Sequence, residues 1–219
     1  MIKAVLFDLD GTLCNTLADL ADAANFALAQ HGFAPQPTES YKRFAGGGVG
    51  TMLRLAIGQP VDDAKLAVVL ADYLARYSGH FADKTTCYDG LPELIAVLKS
   101  QSYRLAVVTN KPQATAQLVI DQLYPGRFDL IIGQREGLSL KPDPAAAKLA
   151  MDTLGVRPCE CVFIGDSGVD MQTAIASGAL PVGVLWGFRS RDELLQTGAM
   201  HLLDAPDELF ALLRLKLEK

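Results

Sequence analysis

The chain lacks a long apolar run, a close cysteine pair and an excess of basic residues, and each lack argues against a class of function. No apolar run approaches the ~20 residues needed to cross a bilayer, so no membrane partner is expected. Net charge is −5, which argues against the basic surface that dominates nucleic-acid binding. The first residues carry no basic flank with an apolar core, because Asp8 and Asp10 interrupt too early for a secretory signal. Cys14, Cys87, Cys159 and Cys161 form neither a CxxC pair nor a Cys/His zinc pattern, so free thiols in a reducing cytoplasm are expected. Cys161 reads as a small packing hydrophobe opening an apolar strand. There is no internal repeat and no low-complexity tail. What is present is ordinary for a soluble globular protein: 50% apolar and 21% charged residues in a chain of 219, enough for one large domain or a domain with a smaller insert.

From about residue 90 strands and helices alternate. Residues 104–108 read as a strand, 113–123 as a helix, 128–132 as a strand, and 143–154 as a helix behind Pro142. Residues 162–164 read as a strand, 169–176 as a helix and 181–185 as a strand, and Leu209, Leu212, Leu213 and Leu217 form a helical stripe. With the apolar run Ala4-Val5-Leu6 as a first strand, this predicts an α/β fold, a doubly wound, mostly parallel sheet with helices on both faces. The stretch 16–82 breaks the alternation and is helical in pattern. Leu17, Leu20, Ala21, Ala24 and Leu28 share one face, and Leu66, Val69, Leu70, Tyr73 and Leu74 another. Two loop regions lie between them, Pro35-Gln36-Pro37 and Gly46-Gly47-Gly48-Val49-Gly50. The expected organisation is an α/β core of residues 1–15 and 83–219, with an α-helical cap of residues 16–82 over the strand tips.

The most informative stretch is Phe7-Asp8-Leu9-Asp10-Gly11-Thr12-Leu13. A buried strand ends there in two carboxylates at i and i+2, which point the same way if the chain stays extended, at the strand end where α/β sheets bind ligands. Two crowded anions need a cation, and a divalent metal would serve. One carboxylate could then attack an electrophile while the other moves protons. Asp-x-Asp-Gly is also turn chemistry and can open a calcium loop. That loop would need further oxygen ligands where the chain supplies Thr12, Cys14, Thr16 and Asp19, and no closing Glu.

Three further groups fall at predicted strand ends or helix starts: Thr109-Asn110, Lys141-Pro142, and Gly165-Asp166-Ser167-Gly168-Val169-Asp170. Each has an ordinary explanation alone. Thr109 could be a turn residue, Lys141 a solvated lysine, Asp166 a helix cap, and Asp170 a first-turn acid favoured by the helix dipole. Their coincidence at the ends of strands in one sheet is what points to chemistry.

The set resembles the haloacid dehalogenase superfamily over essentially the whole chain. Asp8-Leu9-Asp10-Gly11-Thr12-Leu13 resembles its first motif, Thr109 the second, Lys141 the third, and Gly165-Asp166-Ser167-x-x-Asp170 the fourth. The insert is similar to the family's smaller helical cap. Arg43-Phe44-Ala45-Gly46-Gly47-Gly48, Asp89-Gly90-Leu91-Pro92, Thr109-Asn110-Lys111-Pro112, Lys141-Pro142-Asp143-Pro144 and Gly187-Phe188 resemble its phosphoglycolate phosphatase branch. Asn15 departs from the pattern, since members often carry an acid there, at the cap hinge.

The resemblance implies a Mg2+-dependent cytoplasmic phosphatase of small phosphorylated metabolites, foremost 2-phosphoglycolate, working as a monomer or small homo-oligomer. It implies Asp8 as nucleophile, forming an aspartyl phosphate, and Asp10 as acid and base. Thr109 and Lys141 would hold phosphoryl oxygens, with Asn110 beside them. The metal would be held by Asp8, the Asp10 backbone carbonyl and Asp166, with Asp170 adjacent. In the cap, Gly46 and Gly47 would let a small ligand approach closely. Arg43 is the first cation to suspect of pairing with a substrate carboxylate; otherwise it lies along a helix face. Asp10 favours phosphoryl transfer over dehalogenation, which needs no acid two residues on. A sugar-phosphate phosphatase or a phosphoglucomutase-like enzyme of the same superfamily is the alternative. A phosphorylated receiver domain, a binding switch, is a poorer match, being about half this length, capless, and carrying its acceptor Asp in mid-chain.

Overall fold

The structure, a computed structural model, describes residues 1–215 and the side chains of residues 1–213; Leu217 of the expected C-terminal stripe lies outside the described residues. In chain order the elements are β1 (Ala4–Phe7), β2 (Cys14–Asn15), α1 (Leu17–Gln30), α2 (Tyr41–Phe44), α3 (Val49–Ile57), α4 (Asp63–His80), β3 (Thr86–Cys87) and α5 (Leu91–Ser100). There follow β4 (Arg104–Pro112), α6 (Gln113–Leu123), β5 (Leu130–Gln134), α7 (Ala145–Leu154), β6 (Cys161–Gly165), α8 (Gly168–Ser177), β7 (Leu180–Val184), α9 (Arg191–Gln196), β8 (His201–Leu203) and α10 (Glu208–Leu215).

Six strands form one parallel sheet in the order β5-β4-β1-β6-β7-β8. The chain winds outward from β1 through β4 and β5, then returns to β6 and winds the other way. The switch point, where such sheets bind ligands, therefore lies beside β1. Ala-Val-Leu-Phe suits β1 because a central parallel strand is covered on both faces. Val5 and Phe7 join the core under α5, α6 and α10, while Ala4 and Leu6 join the core under α7 and α8.

The helices α1 to α4 enclose a separate apolar core that includes Leu20, Leu28, Tyr41, Leu53, Tyr73 and Tyr77. The chain leaves and re-enters the sheet region through the antiparallel pair β2–β3, with Cys14 opposite Cys87 and Asn15 opposite Thr86. Asp19, buried in the first turn of α1, fastens this crossing. It accepts from the backbone N–H of Lys84 (3.0 Å) and of Thr85 (2.8 Å) and from the Thr85 hydroxyl (2.7 Å).

Several elements differ from the sequence expectation. β4 runs past Val108 to Pro112, with a register shift between them, so Thr109, Asn110 and Lys111 lie within the strand. β5 begins at Leu130, because Phe128 packs edge-on against Phe7 and Tyr124 outside the ladder. α7 begins at Ala145, where the Asp143 carboxylate accepts the Ala145 N–H (2.9 Å). The helices α5 and α9, the strand β8 and the pair β2–β3 were not expected. All but α5 are six residues or fewer, too short for a periodic signal.

Replacing Asp19 by alanine removes hydrogen bonds to a buried charged group while leaving the sheet intact. Asp19→Ala is expected to lower unfolding free energy by about 2–3 kcal/mol, read from the urea midpoint. A shift below a few tenths of a kcal/mol would show that the crossing does not depend on this fastener.

Candidate active site

Strand ends deliver the site. The Asp8 N–H donates to the Ile164 carbonyl (2.9 Å), continuing the β1–β6 ladder one residue and setting the Asp8 side chain at the sheet's carboxyl edge. Asp166 follows β6 immediately, and Asp170 sits in the first turn of α8. The loop between β5 and α7 brings in Lys141. Close packing here requires glycine. Gly11 has φ +83°, and a Cβ on it would meet the Asp166 carboxylate at 2.2 Å; a Cβ on Gly187 would meet the Asp166 Cβ at the same distance.

Asp8, Asp166 and Asp170 are all buried, and each offers a carboxylate oxygen within 4.8 Å of the others'. The Lys141 ammonium bridges two of them, 2.8 Å from Asp8 Oδ1 and 2.6 Å from Asp170 Oδ1, and donates to the Val108 carbonyl (3.0 Å). The other Asp170 oxygen accepts the Ser167 N–H (3.1 Å) and hydroxyl (2.6 Å). Asp170 is thus both the first-turn acid of α8 and the anchor of Lys141. Asp166 accepts from the Phe188 N–H (2.8 Å) and the Thr12 hydroxyl (3.3 Å). Asn110 accepts the Lys141 N–H (2.7 Å), and its amide donates to the Lys141 carbonyl (3.0 Å) and to the Gly46 carbonyl (2.9 Å). One side chain therefore fixes the lysine backbone and grips the cap loop.

Three buried carboxylates face one ammonium, so negative charge is in excess. Burial lifts Asp8 to about 6 from an ordinary 3.8; Lys141 opposes the rise, and Asp170 and Asp10 add to it. Burial, with Asp170 and Asp8 nearby, raises Asp166 well above the usual carboxylate range. Burial alone would lower Lys141, but Asp170 and Asp8 outweigh it and hold the ammonium above the ordinary lysine range. Asp8 Oδ1 has no hydrogen-bond partner beyond its ion pair with Lys141. An all-oxygen, electron-rich cluster with an under-coordinated carboxylate fits a hard divalent cation.

Above this cluster is a cavity with about 470 Å3 of empty space, mouth included. Asp8, Asp10, Thr109 and Asn110 line its core side; Gly46, Gly48, Val49, Met52, Tyr73 and Tyr77 line its cap side. Thr109 is buried and accepts the Lys111 N–H (3.2 Å). The expected cap residues divide. Gly46 lines the cavity, and Gly47 is not among the lining residues. Arg43 is exposed and is not among the residues that line the cavity. α2 turns its side chain outward, and its carbonyl accepts from Arg189.

Two residues were missed as site residues. Lys111, buried, places its ammonium 2.9 Å from Asp10 Oδ1 and 4.5 Å from the Tyr77 ring centroid. Its position two residues after Thr109 was the available signal. Arg189 reaches from the loop after β7 to the carbonyls of Lys42, Arg43 (3.1 Å) and Ala45 (2.8 Å), clasping the cap to the core. Nothing in the sequence pairs residues so far apart.

Comparison with known proteins follows the same lines. A family model described as haloacid dehalogenase-like hydrolase matches residues 2–178. The chain is 32% identical to the N-acetylmuramic acid 6-phosphate phosphatase of Pseudomonas aeruginosa, over 97% of the chain and 95% of the relative. It is 35% identical to the phosphoglycolate phosphatase of Rhodospirillum rubrum, over 93% and 88%. A provisionally named phosphoglycolate phosphatase from Lactobacillus delbrueckii subsp. bulgaricus has a similar crystal structure, with TM-score 0.88 and 34% identity over 94% of this chain and 96% of that one. CbbY from Rhodobacter sphaeroides, solved in complex with phosphate, gives TM-score 0.82 and 25% identity over 95% and 96%.

The carboxylate cluster makes cation binding pH-dependent. With pKa raised from 3.8 to about 6 at Asp8, and raised well above the usual carboxylate range at Asp166, the folded chain without a cation holds protons that the unfolded chain has released. Its stability therefore falls as pH rises from about 4 through 6 and above. A bound cation replaces those protons, so the gain in melting temperature from saturating Mg2+ is expected to be larger at pH 7.5 than at pH 5.5. Asp166→Asn should lose most of that gain. An equal gain at both pH values, or one that survives in the variant, would place cation binding elsewhere.

Proposed function

The chain belongs to the haloacid dehalogenase-like hydrolase family and is a phosphatase, and we propose that it is a cytoplasmic, Mg2+-dependent hydrolase of small phosphate monoesters, foremost 2-phosphoglycolate. The carrying observation is the cluster of Asp8, Asp166 and Asp170 around Lys141, set beneath a cavity that Asp8, Asp10 and Thr109 line.

Asp8 is the nucleophile, because its carboxylate is at the carboxyl end of the central strand and faces the cavity. It attacks phosphorus, the ester oxygen leaves, and an aspartyl phosphate forms on Asp8. Asp10, also lining the cavity, protonates the leaving alkoxide and later takes a proton from the water that attacks the aspartyl phosphate. The Thr109 hydroxyl and the Lys141 ammonium hold phosphoryl oxygens. Lys141 is preorganised for this by Asp170, Asn110 and the Val108 carbonyl, so little reorganisation is needed as charge develops. A carboxylate approaching a phosphoryl dianion is strongly repelled, at about 4 kcal/mol per unit pair at about 4 Å and an effective dielectric of about 20. Asp8, Asp166 and the Asp10 carbonyl would hold Mg2+, which, when bound, offsets this repulsion as a Lewis acid on the phosphoryl group. The cap excludes water and encloses the substrate; its opening admits it.

The 2-phosphoglycolate assignment draws on the relatives in Rhodospirillum rubrum and Lactobacillus delbrueckii. A second reading, hydrolysis of N-acetylmuramic acid 6-phosphate, draws on the Pseudomonas aeruginosa relative. Both compounds are phosphorylated carboxylic acids. A sugar-phosphate mutase would use the same core residues and release little phosphate.

Phosphate release decides among these. The protein with Mg2+ is expected to release phosphate from 2-phosphoglycolate faster than from N-acetylmuramic acid 6-phosphate or glucose 6-phosphate. Chelation and Asp8→Asn should each abolish release, and Asp10→Asn should slow it by roughly 10²–10⁴. Faster turnover of either sugar phosphate would overturn the substrate and leave the chemistry. Full activity in Asp8→Asn would overturn the mechanism.

A further inference from the structure

Lys111 is the one cationic side chain among the residues lining the cavity. Its ammonium has three donors. One goes to Asp10 Oδ1 at 2.9 Å, and the charge lies against the face of the Tyr77 ring. The hydroxyl of that ring is buried with no hydrogen-bond partner, and Tyr77 also lines the cavity. A buried cation with donors to spare and a buried unpaired hydroxyl are together costly unless something accepts from them. Beyond Asp10, the walls offer Asp8, already paired with Lys141, and the hydroxyls of Thr109, Thr115 and Tyr73, none of them hydrogen-bonded to the Lys111 ammonium or the Tyr77 hydroxyl. Val49, Met52, Leu20 and Pro112 are apolar, and the Asn110 amide is committed to Gly46 and Lys141.

We propose that Lys111, with the Tyr77 hydroxyl, binds a carboxylate on the substrate, so that the enzyme selects short phosphorylated hydroxy acids. The inference rests on the phosphatase reading above and deepens it. Thr109 and Lys111 stand two residues apart in β4, within the register shift between Val108 and Pro112, and both line the cavity. One short stretch of β4 therefore presents a hydroxyl for the phosphoryl end and a cation for the acid end. Their short spacing suits a substrate in which few carbons separate the two anions.

The test is a ratio: kcat/KM for 2-phosphoglycolate over that for monoethyl phosphate, which has the phosphate and two carbons but no carboxylate. The wild-type ratio is expected to exceed roughly a hundred, and Lys111→Met should lower it by roughly a hundredfold, chiefly through KM for 2-phosphoglycolate. Lys111→Arg should keep much of the ratio. Tyr77→Phe, which removes only the hydroxyl, should lower it about threefold to tenfold and serves if Lys111→Met does not fold. An unchanged ratio in Lys111→Met, even with both substrates slowed, would make Lys111 a positioning residue for Asp10 and overturn the proposal. A wild-type ratio near one would overturn it while leaving the phosphatase reading intact. Release from neither substrate while N-acetylmuramic acid 6-phosphate is hydrolysed would overturn it and leave the chemistry, and release from none of the three would overturn both.

Discussion

Excess negative charge in a dry corner of the sheet is the constraint on which this molecule is organised. Asp8, Asp166 and Asp170 are brought within 4.8 Å of one another, with Asp10 alongside. Left unopposed, such a group would neutralise itself by taking up protons, as the raised Asp8 and Asp166 pKa values indicate. The fold answers with Lys141, and it spends several other interactions on holding that one lysine. Asn110 fixes its backbone at both N–H and carbonyl, Val108 accepts from its ammonium, and Asp170 is itself oriented by Ser167. Even the glycines follow from the charge cluster. Gly11 and Gly187 leave no room for a Cβ because Asp166 must sit between them.

The cap is tied to this corner through the same residues. Asn110 orders Lys141 and also grips Gly46. Arg189 follows the Phe188 N–H that holds Asp166, and it clasps the carbonyls of the cap loop. Closing the cap and ordering the charged cluster are therefore one packing problem. The cap loop takes left-handed backbone at Gly46 (φ +103°) and Gly48 (φ +86°), where a side chain would be strained. The antiparallel pair β2–β3 carries the chain between the two parts. It is two residues long on each side, which makes it a narrow connection between two separately packed cores.

Much of this was legible in the sequence because a parallel sheet puts every strand end on one edge. Once Ala4-Val5-Leu6 and Val162-Phe163-Ile164 are read as strands, Asp8 and Asp166 are brought together with no knowledge of side-chain packing. The helix at 113–123 was read with its observed bounds, since its apolar positions repeat at helical spacing and Pro112 marks its start. What failed was local. Residues 109–111 read as the turn after a strand, whereas β4 continues through them because β5 offers a partner as far as Gln134. Strands and helices of two to six residues carry too few positions for periodicity to register. The grip of Arg189 on a loop more than 140 residues earlier leaves no sequence trace at all.

The contrast between Arg43 and Lys111 bears on where selectivity resides. A cation on a loop of the cap would move with the cap and would fix the substrate's second anion only after closure. Arg43 instead faces solvent, and the cap gives the cavity aromatic and aliphatic walls, Tyr73, Tyr77, Met52 and Val49. The cation comes from β4, two residues beyond Thr109, and is itself buried. Lys111 is tied to Thr109 by its N–H, which donates to the Thr109 hydroxyl, and both belong to the core rather than to the cap. On the proposed reading the cap supplies exclusion of water and shape, while charge recognition stays with the core. The glycine-rich loop, left-handed at Gly46 and Gly48, then has only to come close, because on the proposed reading the cation that reads the ligand's second charge is already in place beneath it.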